Sequence, residues 1–121
     1  MRQQRSSGSV QIISIDRDEL LARLSAIARR ICVEHPEVRS VRVFGSVGRG
    51  DQVGTSDVDV LVVLRGTEPV DTLGQIRLFY PYFDLPIGVD VLAYTEGEID
   101  RRLQAGDAFM ARVWKESLLL C

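Results

Sequence analysis

Hydrophobic positions recur along the chain at two spacings, every three to four residues and every second residue, which predict helices and strands respectively. Residues 17–34 carry the first helical pattern, and Asp16 with Glu19 has the spacing of a capping box at its start. Pro36 ends this helix because proline has no backbone N–H to donate. The apolar face of the predicted helix consists of Leu20, Leu24, Ile27 and Ile31.

Three short segments rich in β-branched residues predict strands, over residues 38–44, 58–64 and 87–94. The second segment, with the sequence VDVLVVL, is almost continuously apolar and is therefore expected inside a covered sheet. Further helices are predicted over residues 71–80, from a capping box of Thr95 and Glu98 to about residue 104, and from Asp107 to about residue 115. This order predicts an α/β (α+β) fold, in which helices cover a small mixed sheet of three or four strands.

The length of 121 residues fits one domain with a substantial core. Residues 1–10 are rich in Ser, Gly, Gln and Arg and lack apolar periodicity, so we expect a flexible tail there. Residues 11–121 are then expected to form the single domain.

The aromatic side chains are assigned to packing rather than to ligand binding. Tyr80, Tyr82 and Phe83 flank a proline and could stack on an adenine, but a packed corner between a helix and a loop is the expected role. No base-binding residue is identified from the sequence. The apolar side of the last helix, also expected in the core, consists of Phe109, Met110, Val113 and Trp114.

Charge and cysteine content exclude several classes of function. A net charge of −2 does not provide the positive field that attracts nucleic-acid phosphates, so direct nucleic-acid binding is not expected. No apolar run reaches the length of a membrane span or of a signal peptide. Cys32 and Cys121 are too few for a disulfide scaffold or a cysteine zinc site, so we expect reduced thiols and a cytoplasmic protein.

A glycine-rich turn, GSVGRG at residues 45–50, follows the first long strand. Gly45 permits close approach of a phosphate to the backbone, Ser46 adds a hydroxyl donor, and Arg49 adds a fixed positive charge. Alone, this segment is more typical of a tight glycine-rich turn with a surface arginine. Together with the aspartates that follow, it predicts a nucleotide-binding turn.

Three aspartates accompany the turn. Asp57 and Asp59 leave the same face of a strand about 6 to 7 Å apart along the chain, and Asp90 lies in the next strand. Alternation on a solvent-exposed face would explain most Asp-x-Asp pairs, but the apolar neighbours here indicate a mostly buried strand. Because three repelling carboxylates near a sheet centre are costly without a cation, we interpret Asp57, Asp59 and Asp90 as ligands of magnesium.

Together, GSxxRG at residues 45–50, SDxD at 56–59 and Asp90 resemble the signature of the DNA polymerase β-like nucleotidyltransferases. The resemblance extends over about residues 17–118. The shortness of the chain is similar to the minimal nucleotidyltransferase (MNT) branch, the antitoxin half of HEPN/MNT toxin–antitoxin pairs.

The resemblance implies a role for each matching residue. Gly45 and Ser46 would hold the β and γ phosphates of ATP, and Asp57 and Asp59 would hold two Mg²⁺ ions. Asp90 would bind the catalytic ion and is also the candidate general base.

The implied activity is transfer of AMP from ATP to a hydroxyl acceptor, with a tyrosine of a partner HEPN toxin as the expected acceptor. No further domain for the acceptor is expected, so the acceptor is expected to be bound by a shallow surface, by a second copy or by a separate protein. Two alternatives remain at this stage. One is a binding module that neutralises its partner without catalysis, and the other is an aminoglycoside-type adenylyltransferase.

Overall fold

The computed structural model describes residues 2–7, 10–45 and 58–121, and the side chains of residues 16–45 and 58–121. In chain order its elements are β1 (Arg2–Ser7), β2 (Val10–Ile15), α1 (Arg17–Glu34), β3 (Val38–Phe44), β4 (Val58–Leu64), α2 (Thr72–Phe79), a 3-10 turn (Tyr80–Tyr82), β5 (Val89–Thr95), α3 (Glu96–Gln104), α4 (Ala108–Glu116) and β6 (Leu118–Leu119). Each helix and strand predicted in the body of the chain is present, with shifts of one or two residues at its ends.

The main sheet has four strands in the order β5-β4-β3-β6. β4 is antiparallel to β3 and parallel to β5, while β6 is antiparallel to β3. The parallel pair requires a crossover, and α2 lies within that connection. The mixed sheet covered by helices is thus confirmed.

Each face of the sheet carries its own core. The side chains that alternate along β4 divide between the faces: Val60 and Val62 pack with α1 and α2, whereas Leu61 and Val63 pack with α3 and α4. Every residue of β4 except Asp59 is buried. The interior position predicted from VDVLVVL is therefore confirmed.

Two of the three predicted helix caps are present. Glu98 donates its N–H to the Thr95 hydroxyl at 3.2 Å, and Thr95 donates its N–H to the Glu98 carboxylate at 3.0 Å. Asp107 caps α4 by accepting a backbone N–H at 3.0 Å. The capping box predicted for Asp16 and Glu19 is wrong, because the Asp16 side chain makes no capping hydrogen bond.

The amino-terminal segment differs from the flexible tail expected over residues 1–10. β1 pairs antiparallel with β2, in a register that places Arg2 opposite Ile15 and Ser7 opposite Val10. The composition of residues 1–10 did not predict β1, because that segment has no alternation of apolar residues. β1 is instead paired with β2, the β-branched segment that follows it.

The cysteines also differ from expectation. Cys32 of α1 and Cys121, 89 residues apart in sequence, are joined in a disulfide, so the expectation of two reduced thiols is wrong for this structure. β6 is responsible for their proximity. Its pairing with β3, continued by a 2.8 Å hydrogen bond from the Leu120 N–H to the Val41 carbonyl, carries Cys121 to the side of the sheet that α1 covers.

No helix within the described residues is long and apolar enough to cross a membrane.

Candidate active site

Asp59 and Asp90 are neighbours at one end of the sheet. They are directly paired in the parallel register of β4 and β5, so their side chains leave the same face of strands that lie about 4.8 Å apart. Residues Val58 and Val60 on either side of Asp59 are fully buried on the opposite face. Asp59 is half-buried and Asp90 is exposed, so this pair lies where the core opens to solvent.

Gly45 lies beside this pair because β3 ends where β4 begins. Phe44, the last residue of β3, is paired with Asp59 across the antiparallel register. Gly45 has a φ of +73°, and a Cβ built on it would lie less than 3.0 Å from Oδ2 of Asp59. Only a glycine permits both this backbone conformation and this approach to the carboxylate.

A cavity of about 540 Å³ opens at this end of the sheet. Its volume is within the range of sites that hold small molecules and cofactors. Its lining combines the two carboxylates with apolar and aromatic side chains, and includes Phe44, Asp59, Ile76, Tyr80, Asp90 and Phe109. The cavity therefore has two parts. The carboxylates are suited to binding a cation or accepting a proton, and the aromatic surface is suited to binding a planar apolar group.

The start of α4 is fixed firmly at the wall of this cavity. Asp107 accepts the N–H of Met110 at 3.0 Å and lies 3.3 Å from Nη1 of Arg102. The hydrogen bond from Met110, assisted by Arg102, lowers the pKa of Asp107 below its usual range. α4 therefore begins at an ionised cap, and Phe109 projects from its first turn.

A larger cavity, of about 620 Å³, lies at the opposite end of the sheet. Its wall includes Arg39 at the start of β3, and Arg39 is already paired with Glu96 at 3.1 Å. Arg42 in the same wall stacks on Trp114. Of the predicted site residues that the structure describes, Gly45, Asp59 and Asp90, none lines this cavity, so size alone does not identify the site.

The structure thus brings together three of the predicted site residues, Gly45, Asp59 and Asp90. Ser46, Arg49 and Asp57 lie outside the described residues, and their roles stay predictions. Among the side chains of residues 16–45 and 58–121, no group of three His, Cys, Asp or Glu is arranged to hold a metal ion.

Sequence reasoning missed the exposure of three aromatic side chains, of which Phe109 and Tyr80 line the candidate site. Phe109 and Trp114 were expected in the core with Met110 and Val113, but only Met110 and Val113 are buried. Tyr80 is likewise exposed, whereas Phe83, next to it in the predicted corner, is buried. The one available signal was that four apolar residues at positions 109, 110, 113 and 114 span a wider arc than a nine-residue helix buries against one sheet.

Residues 24–120 match the family model described as the nucleotidyltransferase domain. The fold is similar to the crystal structure of a nucleotidyltransferase candidate from Sulfolobus solfataricus, with a TM-score of 0.62 and 26% sequence identity. The match covers 85% of this chain and 80% of that one. No curated protein matches this chain.

Proposed function

Because the chain belongs to the nucleotidyltransferase domain family, we propose that it transfers AMP from ATP to a hydroxyl group of a partner protein. The proposed acceptor is a tyrosine of a HEPN-family toxin, and the chain is then its antitoxin. The family match supports nucleotidyl transfer in general, and the choice of ATP, magnesium and this acceptor is part of the proposal.

The observation that carries the proposal is the in-register pairing of Asp59 with Asp90 beside Gly45. Like charges directly opposite one another on neighbouring strands destabilise a sheet. A ligand that brings positive charge to the mouth of this cavity would lower that repulsion. A divalent cation carrying a polyphosphate is such a ligand.

The residues at this end of the sheet fit magnesium. Asp59 and Asp90 supply carboxylate oxygens, which Mg²⁺ prefers, and the missing Cβ of Gly45 leaves room at Oδ2 of Asp59. Asp57, two residues before Asp59, is the proposed third ligand and completes a set for two ions. Bound magnesium would neutralise the triphosphate and the charge that develops at the transferred phosphoryl group.

The remaining roles fall to side chains of this chain. Gly45 and Ser46 are proposed to bind the β and γ phosphates, and Arg49 to pair with the triphosphate. The acceptor oxygen forms a bond to the α-phosphorus while the bond to pyrophosphate breaks. Asp90, exposed at the mouth of the cavity, is proposed to receive the proton of the acceptor hydroxyl.

The test is incubation of the purified chain with Mg²⁺, α-labelled ATP and a HEPN-family partner, followed by gel electrophoresis. We expect label on the partner and loss of that label with Asp59→Asn. Asp100→Asn is a matched control, because Asp100 is an exposed aspartate that lines the cavity at the opposite end of the sheet. A stable complex without labelling would instead favour neutralisation by binding alone.

A separate measurement tests the proposed roles of Asp59 as a metal ligand and Asp90 as the general base. Asp59→Asn should weaken Mg²⁺-dependent ATP binding, whereas Asp90→Asn should retain more of that binding and lower the rate of transfer by about 10²- to 10⁴-fold. Equal loss of ATP binding in both variants would contradict the assignment of Asp90 as the base.

A further inference from the structure

The candidate site contains an aromatic ring that the chemistry at the carboxylates does not use. Phe109 lines the cavity with Asp59 and Asp90 and keeps 45% of its surface exposed. It is the second residue of α4, and Met110 beside it is completely buried. Exposed aromatic surface next to polar catalytic groups is typical of a binding surface.

Phe109 lies on the same face of the sheet as the carboxylates. Asp59 and Asp90 alternate with residues that face α1 and α2, so the two side chains project toward the face that α3 and α4 cover. Phe109 belongs to α4 on that face. Tyr80, the other exposed aromatic of the cavity, comes from the end of α2 on the opposite face.

The ring of Phe109 is held in place before any ligand arrives. It contacts Phe44 edge to face, with ring centroids 6.5 Å apart and an angle of 84° between the ring planes. The ionised cap at Asp107 fixes the turn that carries it. Such a ring loses little side-chain freedom when a second planar group stacks on it.

We propose that Phe109 is the stacking surface for the nucleobase of the nucleoside triphosphate. The inference rests on the proposed function and names the part of the site that recognises the base. Phe44 connects the two parts, since it touches Phe109 and is the residue that precedes Gly45. A triphosphate at Asp59 and Asp90 and a base on Phe109 then occupy one continuous cavity.

The chemistry of stacking makes the proposal specific. A phenyl ring offers no hydrogen bond and every base has a π face, so Phe109 stabilises purine nucleotides with little choice among them. A ligand that lacks a base gains nothing from the ring. Removal of Phe109 should therefore weaken ATP and GTP alike and leave inorganic tripolyphosphate unaffected.

Titration calorimetry with Mg²⁺ and each of ATP, GTP and tripolyphosphate tests this inference. For Phe109→Ala we expect roughly tenfold weaker binding of both nucleotides and less than a twofold change for tripolyphosphate. Phe109→Leu keeps apolar contact with Phe44 without a π face, and should lie between Phe109→Ala and the unchanged protein. Trp114→Ala is the matched control, because Trp114 is an exposed aromatic of the same helix that lines the cavity at the opposite end of the sheet, and it should change nucleotide binding by less than twofold. Tyr80→Ala removes the other exposed aromatic of the candidate cavity and tests stacking on the opposite face.

Three outcomes overturn the inference. Unchanged nucleotide binding in Phe109→Ala, or an equal loss for tripolyphosphate, removes the nucleobase from Phe109. A loss confined to Tyr80→Ala moves the base to the other face. If the unchanged protein binds none of the three ligands, the proposed function itself fails, and that result is distinct from any loss confined to Phe109. Circular dichroism of Phe109→Leu shows whether the fold is retained where Phe109→Ala unfolds.

Discussion

Replacing Gly45 with alanine should weaken metal-dependent binding at the candidate site much more than it lowers the stability of the fold. Gly45 has a φ of +73°, and its added Cβ would lie less than 3.0 Å from Oδ2 of Asp59. Real Cβ atoms almost never come so close to a neighbour, so the carboxylate must rotate away. The backbone strain at position 45 then lowers the stability of the fold, and the displacement of Asp59 weakens metal-dependent binding.

The expected loss of stability is small. A residue with a side chain costs about 1–2 kcal/mol in the left-handed region, and part of that cost is offset because alanine restricts the unfolded chain. Rotation of the Asp59 side chain adds little, because only the far end of that side chain has to move. We expect a net loss of about 1 kcal/mol and a fall in Tm of roughly 3–6 °C.

The expected loss of metal-dependent binding is larger. Displacing a neighbour that positions a ligand typically costs 10- to 100-fold in metal affinity, and Asp59 is itself a proposed ligand. Titration of Gly45→Ala with ATP and Mg²⁺ should therefore show at least tenfold weaker binding. Differential scanning calorimetry on the same sample gives the stability.

Gly106 supplies a matched control. Its φ of +78° is nearly the same as that of Gly45, but a Cβ at this position meets nothing within 4 Å. Gly106→Ala should lose a similar free energy of unfolding and retain Mg²⁺-dependent ATP binding. Equal ATP affinity in Gly45→Ala and Gly106→Ala would refute the reasoning that Gly45 is required for the position of Asp59.

Three further predictions concern stability. Reducing the bond between Cys32 and Cys121 opens a loop of 89 residues and should lower the free energy of unfolding by about 4 kcal/mol, measured by denaturant titration with and without a thiol reductant. The hydrogen bond to Glu34 raises the pKa of Tyr82. The contribution of this hydrogen bond to the free energy of unfolding should therefore be complete below the unfolded pKa of about 10 and be lost as pH rises through the folded pKa. Tyr82→Phe should remove this alkaline dependence of stability. The hydrogen bond from Met110 lowers the pKa of Asp107. The contribution of Asp107 to the free energy of unfolding should therefore be present above about pH 4 and be lost in more acidic solution. In Asp107→Ala the free energy of unfolding should depend less on pH in that acidic range.

The sequence predicted the helices and strands more accurately than it predicted the contacts between them. The strands at 38–44 and 58–64 have the bounds that the structure shows, because apolar β-branched runs identify strands without reference to partners. β6 has only two residues, and its pairing with β3 depends on tertiary contacts that no local pattern carries. The disulfide depends on that same pairing, which is why cysteine counting alone missed it.

The candidate site shows the same limit. Spacing alone identified Asp59 and Asp90 as polar residues within strands, but their direct register follows from the parallel pairing of β4 with β5. Phe109 was assigned to the core because its spacing fits the apolar side of a helix. Its exposure depends on where α4 begins relative to the end of the sheet, which only the packed structure fixes.

The register also explains why two aspartates can stand side by side without disrupting a buried strand. Alternation directs Asp59 away from the core that packs on α1, and the neighbouring residues Val58 and Val60 remain completely buried there. Asp90 is exposed, so solvent screens the repulsion between the two carboxylates as long as no ligand is bound. A positively charged ligand lowers the repulsion between the two carboxylates, whereas an anionic ligand that binds alone adds to it. For the proposed function we therefore expect ATP to bind together with magnesium, and ATP binding should weaken when Mg²⁺ is removed by a chelator.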